Sequence, residues 1–120
     1  NSSSELHWTL IQNTTPESAA HLFQEESFVC VCAETTLEGS TPGEFLDSAV
    51  EFVNDQLFGT LCATITAPKS FENREALALE KAIAKLRYGS VCVNQWAGVV
   101  YGLMTPPWGG HPSSSLESLL

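Results

Sequence analysis

The sequence predicts an α/β fold in three layers, a parallel β-α-β-α-β core with an extra strand at its N-terminal edge. Three observations lead there. Strand-like and helix-like patterns alternate along the chain. Residues 28–33 are continuously apolar, as in a strand buried on both faces of a parallel sheet. Two long segments repeat apolar residues every three or four positions, and each opens on a helix-start signal. Strands and helices in this order need right-handed crossovers between parallel strands.

Each element has its own warrant. Residues 6–11, Leu-His-Trp-Thr-Leu-Ile, alternate as a half-exposed strand does. Thr15-Pro16-Glu17-Ser18 opens a short helix through Gln24, with Thr15 as N-cap and Pro16 in the first turn. Thr41 and Glu44 have capping-box spacing, and Pro42 falls at the first helical position. Phe45, Leu46, Ala49, Val50, Val53 and Leu57 make that helix's buried face. Gly59 ends the segment, and residues 61–66 form the next strand. Ser70 caps a second long helix. Glu72 and Glu75 lie near its positive end and Lys81, Lys85 and Arg87 near its negative end, each placement favourable by ~0.3–1 kcal/mol. Its inner face is Ala76, Leu79, Ala82, Ile83 and Leu86. Gly89 is expected to close it in the left-handed conformation, before the short strand Val91-Cys92-Val93. Residues 1–5 are polar and expected to fray, and 113–120 read as a truncated tail. The folded unit is then 6–112, one domain or a piece of one.

Charge and cysteine usage narrow the function. Fourteen acidic and five basic side chains set the formal net charge at -9. The basic residues are scattered between Lys69 and Arg87, which argues against nucleic acid and anionic membrane as partners. No apolar run approaches the ~20 residues that span a bilayer. Cys30, Cys32, Cys62 and Cys92 all fall in apolar runs, where reduced thiols behave as small buried hydrophobes. Cytoplasmic localisation is expected on that basis. Neither their spacing nor that of His7, His21 and His111 is that of a metal site, so no metal is expected.

The stretch 87–110 is the richest in candidate contacts. Asn94 is a residue type that turns the chain as a strand ends. The loop after it holds Trp96, Tyr101 and Trp108 and ends in Pro106-Pro107-Trp108-Gly109-Gly110. Gly109 and Gly110 let backbone approach something closely, and the indoles offer large rigid surface. In open α/β sheets ligands sit beyond the carboxyl ends of strands, where this loop is expected. These residues alone leave two readings open, a ligand wall or an aromatic cluster closing one end of the core.

Three strings, taken together, resemble the late part of the catalytic domain of NAD(P)-dependent aldehyde dehydrogenases. Glu25-Glu26-Ser27-Phe28 is similar to that family's Glu-Glu-x-Phe. Asn54-Asp55-Gln56-Leu57-Phe58-Gly59 resembles its Asn-(x)n-Tyr-Gly-Leu segment. Ser90-Val91-Cys92-Val93-Asn94, followed by Pro107-Trp108-Gly109-Gly110, resembles Gly-x-x-x-Val-Asn and Pro-Phe-Gly-Gly. The resemblance covers residues 25–110 of the 120. It implies that Glu26 binds the nicotinamide-side ribose hydroxyls of NAD or NADP, that Phe28 packs beside the cofactor, and that Trp108 lines the aldehyde tunnel. As an isolated residue, Glu26 reads as a solvated helix-end charge, and Trp108 reads equally as plain core.

The departures point to a divergent branch. Val29-Cys30 stands where the family has Gly-Pro, the loop before Pro107 is longer, and His111-Pro112-Ser113 follows Gly110. The family's Gly-Gln-x-Cys nucleophile segment is missing, as is a Gly-x-Gly-x-x-Gly dinucleotide loop. No residue of this chain is therefore assigned a catalytic role. The resemblance implies a fragment of an aldehyde dehydrogenase-like oxidoreductase, supplying one wall of the cofactor and substrate sites and inactive alone. Its expected partners are the remainder of the parent enzyme, a small aldehyde and further copies of the parent. The other function class is a free-standing, non-catalytic α/β module for binding or assembly.

Overall fold

A computed structural model describes residues 7–112; the expected frayed 1–5, the tail 113–120 and Leu6 lie outside them. The described residues form an α/β fold of helices and short parallel strand pairs. In order these are β1 (Thr9–Ile11), α1 (His21–Gln24), β2 (Val31–Ala33), α2 (Pro42–Asp55), β3 (Cys62–Ile65), α3 (Lys69–Arg74), α4 (Ala76–Lys85), β4 (Ser90–Val93) and α5 (Val99–Gly102).

The first long helix begins where its cap chemistry directs. Thr41 is extended at the N-cap and its hydroxyl accepts from the Glu44 amide at 3.2 Å. The Glu44 carboxylate reaches back to the amides of Ser40 (3.0 Å) and Thr41 (3.2 Å), closing the capping box. Val50 of α2 meets Ala82 and Leu86 of the α4 end in a small buried cluster, flanked by Leu46, Val53, Ile65, Tyr88 and Val91. On the outer side Lys81 and Lys85 reach Asp47 at 3.1 and 3.4 Å. The bond from Lys81 holds the Asp47 carboxyl below its ordinary pKa. This pair lies in water and contributes little to stability.

Helix starts and stops differ from expectation at three places. The Thr15-Pro16 segment makes a hydrogen-bonded turn, and helix begins only at His21. The Ser18 hydroxyl donates to the Thr15 carbonyl (3.0 Å) and accepts from its amide (2.9 Å), offering the backbone an alternative to helix. The second long helix begins at Lys69 after Pro68, without a Ser70 cap, and breaks at Glu75 (φ -120°, ψ 30°) into α3 and α4. No residue of breaking type accounts for that break. Finally, α4 stops at Lys85, with Leu86 extended, and Gly89 is not left-handed.

What stops α4 is a side chain from another helix. Asn54, near the end of α2, donates from Nδ2 to the Lys85 carbonyl (2.9 Å) and accepts the Arg87 amide on Oδ1 (2.8 Å). The Arg87 guanidinium donates to the Asn54 carbonyl (2.8 Å) and pairs with Asp55. The amide thus replaces the next helical bond and steers the chain into β4. Asn54→Ala is expected to cost about 1–3 kcal/mol, because the part-buried Arg87 amide loses its acceptor and the Lys85 carbonyl its donor. A thermal melt checks this, and an unchanged midpoint would show the clamp to be idle.

Sheet topology is the main correction. The expected continuous parallel sheet is split into two parallel pairs, β1 with β2 and β3 with β4. Thr9, Leu10 and Ile11 pair with Val31, Cys32 and Ala33; residues 62–65 pair with 90–93. Crossovers join the partners within each pair, as parallel strands require, but β2 and β3 share no ladder. The uncovered β1–β2 pair also leaves Cys32 exposed, against the expectation of a buried thiol. Cys30, Cys62 and Cys92 are half-buried, and all four cysteines are free.

Candidate functional site

The loop after β4 does not stay at the carboxyl ends of the strands. It starts there: Asn94 takes φ 54°, a left-handed value that Asn tolerates better than most residues. Its side-chain amide accepts from the Ala67 amide (2.9 Å) and donates to the Ala67 carbonyl (2.8 Å) and to Glu72. The chain then folds back over β3. Thr64 Oγ1 donates to the Gln95 carbonyl (3.2 Å) and accepts the Ala97 amide (3.1 Å), and Ala97 is buried. Since Ile65 and Val91 pack on the helix side, Thr64 points to the opposite face. The loop is therefore the layer across the sheet from α2 and α4.

Its end reaches the amino side of the same strands. The His111 amide donates to the Thr60 carbonyl (3.1 Å), which also accepts the Gly89 amide (2.8 Å). A side chain on Gly89 would overlap the Gly109 carbonyl, so Gly89 serves close approach and not helix termination. Trp108 stacks edge-on against Tyr101, ring centres 5.7 Å apart, and keeps about a third of its surface exposed (37%). Trp96 stands apart, 77% exposed, its ring over Gly98. The Pro-Pro-Trp-Gly-Gly corner thus closes the amino end of β3 and β4, where the expectation had a site beyond their carboxyl ends.

The implied cofactor residues lie between α1 and β2. Glu26 is exposed, and Phe28 keeps 86% of its surface in contact with solvent. A carboxylate accepts from ribose hydroxyls and an open ring packs on a flat face, so both fit one wall of a nicotinamide site. The structure does not bring them together with Trp108 in one cavity.

Instead the described residues form a groove of about 680 Å³ that no motif marked. One wall is α2, from Pro42 through Phe45, Leu46 and Ala49 to Val53. The other is β3 and its exit, the consecutive residues Ala63, Thr64, Ile65, Thr66 and Ala67. Phe71 and Arg74 of α3 close one end. Neither Glu26, Phe28, Asn94 nor Trp108 lines it. The sequence signal was present in the α2 pattern: adjacent Phe45 and Leu46 make the apolar stripe wider than one packing partner needs. Tyr88 stands beside this core. Burial raises its hydroxyl pKa, with Cys62 adding to the effect, and the hydroxyl donates to the Val53 carbonyl at 3.1 Å.

No protein-family model matches the sequence, and neither a curated protein nor a solved structure proved similar to it. No group of three or more His, Cys, Asp or Glu side chains among the described residues is placed to hold a metal ion. No helix among them is long and apolar enough to cross a membrane.

Proposed function

We propose that this chain is a piece of an aldehyde dehydrogenase-like oxidoreductase, contributing one wall of its cofactor and substrate sites. In this reading the two strand pairs are parts of the three-layer parallel core of a catalytic domain. The observation that carries it is the sheet itself. Parallel sheets occur with both faces covered by other structure, whereas β1–β2 here exposes Leu10 and Cys32 to water and β3 has a vacant edge. The three family-like strings supply the chemistry. NAD(P)+ would accept the hydride from the aldehyde carbon. Glu26 would hold the ribose hydroxyls, Phe28 would flank the cofactor, and Trp108 would border the aldehyde path. The nucleophile would come from sequence outside this chain, and four free cysteines fit a cytoplasmic, homo-oligomeric parent enzyme.

The chain alone is therefore expected to generate no NADH or NADPH from a panel of aldehydes. Steady turnover abolished by replacing one of its cysteines would overturn that. Within the longer reading frame, Glu26→Gln is expected to weaken cofactor handling by about fivefold, the difference between a charge-assisted and a neutral hydrogen bond. Cofactor KM and single-turnover hydride transfer measure this, with the melting temperature unchanged. Unaltered kinetics in a folded variant would remove Glu26 from the site. The groove beside β3 favours a second reading, a non-catalytic module for binding or assembly; a parent frame without a cysteine nucleophile would select it.

A further inference from the structure

We propose that the groove is the docking slot of this chain's own strand β2. Residues 28–33 would add to the vacant edge of β3 and join the two pairs into one parallel sheet, ordered β1-β2-β3-β4. This deepens the three-layer core proposed above and rests on that part of the reading alone.

The edges match. The carbonyls of Leu61 and Ile65 accept from the amides of Ser90 and Asn94. Backbone groups alternate sides along a strand, so those of Cys62 and Thr64 point away from β4. The groove touches Ala63, Thr64 and Ile65 in succession, although their side chains alternate between faces. A cavity can do so only by running along the strand's edge. On the other partner, the Cys30 carbonyl and the Glu34 amide serve β1, which leaves the backbone groups of Val31 and Ala33 on the outer side; the Val31 amide there is held by the Val29 carbonyl of its own turn (2.8 Å), a bond that docking exchanges for one to β3. Each pair thus presents one open edge.

Direction is set by two anchors. At the amino end of β3, the Phe58 amide donates to the Phe23 carbonyl (2.7 Å), and Phe23 packs edge-on against Phe52 of α2 at 5.8 Å. At the carboxyl end, Gly39, Ser40 and Thr41 line the same groove as Thr66 and Ala67. Residues 24–38 must run from the first anchor to the second, which is the direction of β3. From Ala33 to Gly39 the chain spans at most about 20 Å, and Gly39 already stands at the slot, so no connection needs lengthening. The β2-α2-β3 crossover, right-handed as such units are, then puts α2 over both strands. That accounts for the apolar α2 wall, which includes Phe45 at 46% exposure. Docking would also remove Phe28 (86%) and Val29 (58%) from water.

Amide exchange read by NMR on the 120-residue chain tests this without nucleotide or aldehyde, so the enzyme reading stands or falls separately on activity. Docking predicts that the Thr64 amide exchanges at least about tenfold more slowly than the exposed-loop amide of Met104. It also predicts cross-strand proton contacts from Val31 or Ala33 to Thr64. Ala33→Pro removes an outward N–H and spares the bonds to β1, so it should return Thr64 to the unprotected rate while Cys32 stays protected. An unprotected Thr64 in the natural chain, or protection indifferent to Ala33→Pro in a folded variant, overturns the proposal. If the variant does not fold, the cross-strand contacts of the natural chain decide. In a mixture of differently labelled chains those contacts must stay within one label; contacts only between labels would overturn it in favour of a strand from a second copy.

Discussion

Gly89→Ala is expected to lower stability by about 2 kcal/mol or more, because a methyl group there has no room. The added Cβ would overlap the Gly109 carbonyl, and 3.2 Å away on its other side stands the Leu61 carbonyl oxygen, itself engaged by the Ser90 amide. Neither is the yielding tip of a side chain. The chain can escape in one way, by lifting residues 109–111 from the strand ends and giving up the bond from the His111 amide to the Thr60 carbonyl. The variant should melt roughly 10 °C lower. Its Tyr101–Trp108 contact should loosen, read as a red shift in tryptophan fluorescence. Gly102→Ala is the control, since a Cβ at that position meets nothing within 4 Å. Equal melting of both variants would show that the approach of Gly109 to Gly89 carries no energy.

Leu86→Ala is expected to be the more damaging, at about 2–5 kcal/mol. Among the described residues, Val50, Ala82 and Leu86 form the buried cluster where α2 and α4 meet. Leu86 is the largest of the three, and it stands where the chain leaves α4 for β4. It also lines the groove beside β3, so the void left behind opens into the groove. A domain of this size has only about 5–15 kcal/mol in total, so the variant should be partly unfolded at ambient temperature. Leu77→Ala on α4 removes the same atoms from a side chain 81% exposed, and should change stability by no more than about 0.5 kcal/mol. Urea unfolding monitored by far-ultraviolet circular dichroism compares them. A Leu86→Ala midpoint equal to that of Leu77→Ala would mean the cluster is not the core.

The α2 start is where sequence reading and structure agree most closely, since Thr41, Pro42 and Glu44 form a cap within four residues of chain. Local signals of that kind depend on nothing distant. Asn94 at the end of β4 belongs with it, as does the apolar stripe of α2. The Thr15 region shows the limit: its residues read as a helix cap, and the same hydroxyl chemistry closes a turn instead, because Ser18 competes for the Thr15 backbone.

The site was less legible. Trp108, Gly109 and Gly110 drew attention as a ligand corner, yet what they meet was decided by a carbonyl fitting against a glycine twenty residues earlier. Nothing in the string Arg-Tyr-Gly-Ser announces that partner. Asn54 is a comparable case, a polar residue late in a helix whose role depends on Lys85 and Arg87 arriving from another one. The groove had only an indirect signature, the breadth of the α2 stripe.

By itself, then, the sequence determined the four strands, that they run parallel, and the apolar faces of the long helices, while the turn at Thr15, the break at Glu75 and helix α5 came only with the structure. The former follow from periodicity, capping and the crossover rule, all of which act over short separations. Which strands share a ladder was decided by tertiary structure alone. Every strand here is short and apolar enough to pair with more than one neighbour, so the choice rests on packing between segments far apart in sequence. Phe23 held on α2 and Gly109 held on Gly89 are contacts of that kind, and they set where each strand edge is covered and where it is left open.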